Sequence, residues 1–286
     1  HRTGAGSYQK IINYFEPALL LGMSASPERT DDFDVYSLFD HNIASEIRLQ
    51  QALENDMLCP FHYYGITDLE IDGAGADVRD FCFLTSERRV EYIISKAEYF
   101  GYSGDKVRGL VFCSTKSESR ELSRKLNETG KYNTIALSGD DSQEMRENAI
   151  ARLLSNSKED ALDYIFTVDI FNEGVDIPEI NQVIMLRPTE SPIIFVQQLG
   201  RGLRKAEGKE YVIVLDFIAN YDNNYMIPIA LSGDRTGNKD NIRRSLMEGN
   251  NVISGPSTIY FDEISKKRIY ASIDAAKLNR IQVLKQ

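Results

Sequence analysis

The sequence has little of what would set it apart from an ordinary water-soluble protein, and each shortage excludes something. No run of roughly 18 apolar residues occurs, so there is no helical membrane span. Cysteine is scarce: Cys59, Cys82 and Cys113 are scattered and form no Cys-x-x-Cys. That pattern argues against a disulfide framework and a zinc site, and it fits a reducing, cytoplasmic setting. Positive charge is in deficit, with 33 Lys and Arg against 43 Asp and Glu and a formal net charge of -10. Wrapping nucleic acid on a basic surface is thereby excluded, though a local basic groove on an acidic body is not. No internal repeat or low-complexity tract is visible. The phosphate-cradling pattern G-x-x-x-x-G-K-[ST] is also missing. Gly208-Lys209-Glu210 comes nearest, and a glutamate there would repel both phosphate and metal. The chain opens His1-Arg2-Thr3-Gly4 with neither an initiator Met nor a signal peptide, and is expected to be a piece of a longer protein.

What is present is globular. The 286 residues are 42% hydrophobic and 27% charged, enough for one large domain or two smaller ones. Residues 5–15 read as a helix with Tyr8, Ile11, Ile12 and Phe15 on one face. Leu19 to Met23 reads as a buried strand and Phe61 to Ile66 as another. From there helices and strands alternate. Thr85 is expected to cap a helix carrying Val90, Ile93, Ile94 and Ala97. Strands are expected at 109–113, 134–137, 164–168 and 182–186, with a last one at 211–215. Helices are expected over Ser117 to Asn127, over Ser142 to Leu154 with Met145 and Leu153 inward, and over Ile193 to Leu199. Wholly apolar strands separated by amphipathic helices predict an α/β fold with a parallel sheet covered on both faces. In such sheets functional residues lie at the carboxyl ends of the strands. The pattern weakens after about 225, where a boundary and a smaller extension are expected.

Gln197-Gln198-Leu199-Gly200-Arg201-Gly202-Leu203-Arg204 carries the strongest chemical signal. Two arginines three apart on one helical turn repel each other unless an anion sits between them. Their planar forks match phosphate oxygens, and the two glycines leave room for close approach. Other segments stand in a telling order: Leu21-Gly22-Met23-Ser24-Ala25-Ser26-Pro27-Glu28-Arg29, then Leu110-Val111-Phe112-Cys113-Ser114, then Leu137-Ser138-Gly139 followed by Gln143 and Arg146. Phe171-Asn172-Glu173-Gly174-Val175-Asp176-Ile177-Pro178 and Arg187-Pro188-Thr189-Glu190-Ser191 complete the series.

Together these resemble motifs III, IV, V and VI of superfamily 2 helicases. The likeness is to the bacterial DEAD/DEAH-box branch related to type III restriction subunits, and it covers roughly residues 1–225. It implies RecA-like lobes: residues 1–30 as the tail of a first lobe, 31–225 as the second, and 226–286 as a C-terminal extension of unknown role. His1 then takes the final position of a D-E-x-H box. The resemblance places ATP and Mg²⁺ between the lobes, with the phosphate loop and metal-binding carboxylates on the first lobe, which this chain lacks.

By the same resemblance, Arg201 and Arg204 act as arginine fingers on the γ-phosphate, an effect worth about 10³–10⁵ in rate. Gln197 orders the attacking water or the phosphate. Gly174 and Asp176 line the nucleotide cleft, as does His1. Ser24 and Ser26 couple the nucleotide and nucleic-acid sites. Ser114, Thr115, Ser138, Gly139 and Thr167 hold nucleic-acid phosphates through hydroxyls and helix amino termini. Each of these five could equally be a helix cap, and Ser117 could be only that. The expected partner is DNA, with RNA left open, together with the first lobe of the same polypeptide. No resident metal ligand set is read in the chain. Three functions compete: an ATP-dependent helicase or translocase seen as its second motor lobe, the motor of a restriction or phage-defence nuclease, and a non-enzymatic interaction module. The chain alone is expected not to hydrolyse ATP.

Overall fold

The computed structural model describes residues 6–15, 18–24, 34–69, 80–157, 160–168, 177–189, 191–219, 221–234, 236–248 and 255–276. Among the described residues, runs of β-branched and aromatic residues form seven strands, β1 (Phe61–Thr67), β2 (Gly109–Phe112), β3 (Thr134–Leu137), β4 (Tyr164–Thr167), β5 (Gln182–Met185), β6 (Val212–Ile218) and β7 (Thr258–Phe261). They make one parallel sheet in the order β3-β4-β2-β5-β6-β1-β7. Every residue of β2, β4, β5 and β6 is buried, as central strands covered on both faces require.

Side chains alternate between the two faces, so the apolar strands feed two cores. Val212, Val214 and Ile218 enter one, and Ile213, Leu215 and Phe217 the other. The second face is closed by α4 (Glu87–Phe100) and α5 (Lys116–Glu128), through Val90, Ile93, Ile94, Leu122 and Leu126. The first is closed by α6 (Gln143–Leu154) and α7 (Pro192–Gly202), through Ala149, Leu153, Phe195 and Leu199. Residues after 225 share that same core. Ile227 of α8 (Met226–Ser232), Ile242 of α9 (Lys239–Glu248) and Ile269 of α10 (Glu263–Ala275) are all buried in it.

The structure departs from the sequence expectations in places with identifiable causes. Leu19 to Met23 is not a strand. Leu19, Leu21 and Met23 are exposed, and no described strand lies beside them to pair with. The helix before them, α1 (Gly6–Phe15), likewise buries none of its residues. The strand after Tyr211 runs on to Ile218 and is not the last, because β7 pairs with the outer side of β1. Thr85 does not cap α4. Ser86 does, accepting from Arg89 N, while Thr85 closes the short α3 (Phe81–Leu84). Met145 points outward at 48% exposure, since in α6 Ala149 and Leu153 carry the buried stripe.

Candidate functional site

Five of the expected nucleic-acid residues come together at the carboxyl edge of the sheet. Ser114 and Thr115 follow β2 and are exposed. Thr115, not Ser117, caps α5: its hydroxyl accepts from Glu118 N at 3.1 Å. Glu118 reaches back and accepts from Ser114 N at 2.8 Å. Thr-x-x-Glu is thus a capping arrangement, satisfying amides that a helix start leaves open. The cap reading and the edge position are both true of Thr115.

Beneath this turn lies a network that sequence reasoning missed. Glu118 is fully buried and accepts from Arg89 Nη1 at 3.1 Å. Arg89, also fully buried, forks onto Asp68, with Nη2 to Oδ2 at 2.9 Å and Nε to Oδ2 at 3.2 Å. Its Nη1 also donates to Leu84 O at 2.8 Å. Burial works against the Arg89 charge, and Asp68 and Glu118 overturn that and hold its pKa above the ordinary value. Burial raises the Glu118 carboxyl, while Arg89 and the Ser114 amide hold it back. A guanidinium between two carboxylates is the arrangement that lets such charges be buried at all. The triad fixes the end of β1 to the end of β2. Its sequence signal was limited to the capping pattern at 115–118, because Asp68 and Arg89 are brought in by the fold.

Ser138 and Gly139 follow β3. Ser138 is buried, and its amide and hydroxyl donate to Asp141 Oδ2 at 2.6 and 3.1 Å. Arg146 Nη2 donates to the carbonyls of Ser138 and Gly139 at 3.2 and 2.9 Å. Ser138 therefore spends its polar groups closing its own turn, and Gly139 is the exposed member. Lys116 Nζ lies 2.6 Å from Asp140 Oδ2 and links this turn to the one after β2. Thr167 ends β4 fully buried, and its hydroxyl finds no hydrogen-bond partner among the described residues.

The arginines lie elsewhere. Ser191 caps α7 at its start by accepting from Ile193 N, with Pro192 as the first helical residue. The helix then runs back across the sheet, so its far end meets the amino ends of β5 and β6. A Cβ added at Gly202 would stand 2.9 Å from Val212 Cγ1 and 3.3 Å from Val183 Cγ2. Gly202 is thus needed for this approach; one added at Gly200 meets no described atom within 4 Å. Arg201 is half-buried in the last turn of α7, and Arg204 is exposed, two residues past the helix end. They flank a helix terminus rather than share one helical turn. Leu203 closes that terminus, its amide donating to Gly200 O at 3.2 Å, with its side chain in the core. Gln197 is half-buried one turn earlier on α7. The rule that functional residues gather at the carboxyl ends of strands holds for the serine and threonine group and not for the arginines.

Ser24 is exposed in the coil over 18–24. His1, Ser26, Gly174 and Asp176 lie outside the described residues. Among the described residues, no group of three His, Cys, Asp or Glu is placed to hold a metal ion, and no helix is long and apolar enough to cross a membrane.

Comparison with known proteins finds a family model that matches part of this arrangement. Residues 89–206, from the buried Arg89 through both arginines of the α7 terminus, match the family described as "Helicase conserved C-terminal domain". IRC3 of Saccharomyces cerevisiae, assigned by name as an ATP-dependent helicase, is 25% identical over 234 residues, 76% of this chain and 33% of that protein. The chain spans between about a third and a half of the length of the curated relatives it matches first. Among solved structures, a fragment assigned as the HsdR subunit of a type I restriction enzyme from Vibrio vulnificus superposes with a TM-score of 0.59 at 23% identity. It covers 74% of this chain and 42% of that one. The ATP-dependent Type ISP restriction-modification enzyme LlaBIII bound to DNA gives a TM-score of 0.53 at 19% identity, over 92% of this chain and 20% of that one. At these identities the two structures share the fold with this chain.

Proposed function

We propose that the chain carries the C-terminal lobe of a superfamily 2 helicase and is the second motor half of an ATP-dependent nucleic-acid helicase or translocase. Arg201 and Arg204 complete an ATP site whose phosphate loop belongs to another lobe. The observation that carries this reading is the α7 terminus. A glycine that admits no Cβ presses it onto the sheet, and an arginine stands on either side of that glycine. Two guanidiniums on so short and fixed a piece of chain suit a triphosphate, whose charge they neutralise as it spreads in the transition state. Gln197, Gly174 and Asp176 belong to the same nucleotide side. Mg²⁺ finds no ligand set among the described residues, so its binding is assigned to the other lobe.

The exposed Ser114, Thr115 and Gly139, with Thr167, Ser24 and Ser26, form the nucleic-acid and coupling side. A backbone held by hydroxyls and helix amino termini needs no basic surface, which accommodates the net charge of -10. DNA is the favoured substrate, on the likeness to a restriction enzyme that was solved bound to DNA. The same likeness supports the second reading, a restriction or phage-defence motor. The test is ATP turnover by the complete protein with and without nucleic acid. Arg204→Ala is expected to lower kcat by about 10³-fold or more. Undiminished turnover would refute the assignment. DNA cleavage assays separate the two readings.

A further inference from the structure

Lys209 is the residue that failed to complete a phosphate loop in the sequence, and the structure gives it different work. It follows Gly208, whose φ of +75° turns the chain back toward α7. Its ammonium donates to three main-chain carbonyls: Pro178 O, Ile180 O at 3.1 Å and Gly202 O at 3.0 Å. An ammonium has three protons, and all three are used. Two of the acceptors lie on the segment directly after the 171–176 stretch. The third is a terminal carbonyl of α7, one of those the helix cannot satisfy internally, at the end where its dipole favours a cation.

Gly202 and Leu203 are the two residues between Arg201 and Arg204. Both carbonyls between Arg201 and Arg204 are therefore taken by distant partners, Gly202 O by Lys209 and Leu203 O by Cys59 N at 2.7 Å. The side chains at those two positions add nothing that could slip, since Gly202 has none and Leu203 is buried in the core. An ammonium half-removed from water is costly unless hydrogen-bonded, and burial lowers its pKa here. Filling space alone would be met by a methionine.

We infer that Lys209 is a positioning residue: it locks the arginine-bearing end of α7 to the 178–180 segment, so that Arg201 and Arg204 are presented to the nucleotide from one fixed piece of backbone. This rests on the proposed role of the arginines. It gives that role a support outside the matched segment, which ends at residue 206.

A double-mutant cycle on ATP turnover by the complete protein tests it, with Lys209→Met, Arg204→Ala and the pair. Lys209→Met is expected to lower kcat about 10- to 100-fold with KM for ATP changed less than threefold, the scale on which a small misplacement of a reacting group acts. In the Arg204→Ala background the same change is expected to cost several-fold less than in the wild type, since of the two guanidiniums it positions only Arg201 remains. Gly65→Ala, which crowds Phe261 at the far edge of the sheet, serves as the stability control and is expected to lower the melting temperature without altering kcat. Unchanged kcat in Lys209→Met, or equal losses in both backgrounds, would overturn the inference while leaving the arginine role standing. Full activity in Arg204→Ala would sink both. Should Lys209→Met fail to fold, Lys209→Arg, which keeps the charge but cannot reach three carbonyls with one nitrogen, carries the cycle under the same criteria.

Discussion

Asp216 sits in the middle of the sheet, and its ionisation should make folding depend on pH in an unusual direction. It is 3% exposed in β6, on the face that α7 covers, and its Oδ2 accepts from the Tyr63 hydroxyl at 2.5 Å. Burial raises its pKa from 3.8 to about 7, against the Tyr63 hydrogen bond, which favours the charged form. The folded protein thus holds this proton more tightly than the unfolded chain does. The stabilisation is complete below the unfolded value, is lost as pH rises through the folded one, and is gone above it. At about pH 5.5 the group is roughly 1.5 pH units below its folded pKa, worth about 2 kcal/mol at about 1.4 kcal/mol per unit. At about pH 8 almost nothing is left. Asp216→Asn keeps an acceptor for Tyr63 and cannot ionise. Urea unfolding of both proteins at the two pH values isolates the term, because every other titrating group cancels in the difference. Wild type is expected to lose about 2 kcal/mol more than the variant on going from the lower pH to the higher. Parallel pH dependences would show that Asp216 is ionised throughout, and that the hydrogen bond outweighs desolvation.

Arg89→Met leaves the Asp68 and Glu118 carboxylates buried without their counter-charge, and is expected to cost about 3–5 kcal/mol in urea unfolding. A loss under 1 kcal/mol would mean that the two acids neutralise themselves instead. Gly202→Ala forces a methyl to 2.9 Å from Val212 Cγ1, with an expected cost of about 1–3 kcal/mol and a fall in ATP turnover from the shifted arginines. An unaltered melting curve would contradict the tight approach. The purified 286-residue chain, having no phosphate loop, is expected to show no ATP turnover above background in a phosphate-release assay, and robust turnover would be the contrary result.

The central sheet was legible because its strands are short, apolar throughout and bounded by helix periodicity, as in Leu110-Val111-Phe112 and Tyr164-Ile165-Phe166. Edge strand β7 was not. Thr258-Ile259-Tyr260-Phe261 alternates in burial at a sheet edge and stands in a polar stretch, so nothing local separates it from a loop. Helix α8 was hidden by Pro228, and its buried residues are recognisable only once the sheet is there to receive them. Leu19 to Met23 erred the other way: an apolar run says that burial is wanted, not that a neighbour exists. At the site, the arginines were readable because a motif is local, whereas their place at the amino ends of β5 and β6 is a property of the path of α7. The Asp68–Arg89–Glu118 triad joins residues far apart in sequence, and only its Thr-x-x-Glu end left a trace.

The separation of the two groups constrains how such a lobe can couple them. Ser114, Gly139 and Thr167 stand at one edge of a sheet whose central strands are wholly buried, and the arginine turn stands at the other. Close-packed interiors do not deform by small continuous steps, so a signal between the edges travels with elements that span them. Helix α7 is one, starting at Ser191 beyond β5 and ending at Gly202 against the same strand's beginning. Lys209 ties the far end of α7 to the 178–180 segment, and at the opposite edge the Arg89 triad ties the turn after β2 to the end of β1. On the proposed function, ties at both edges favour rotation of the lobe as a block over movement within it.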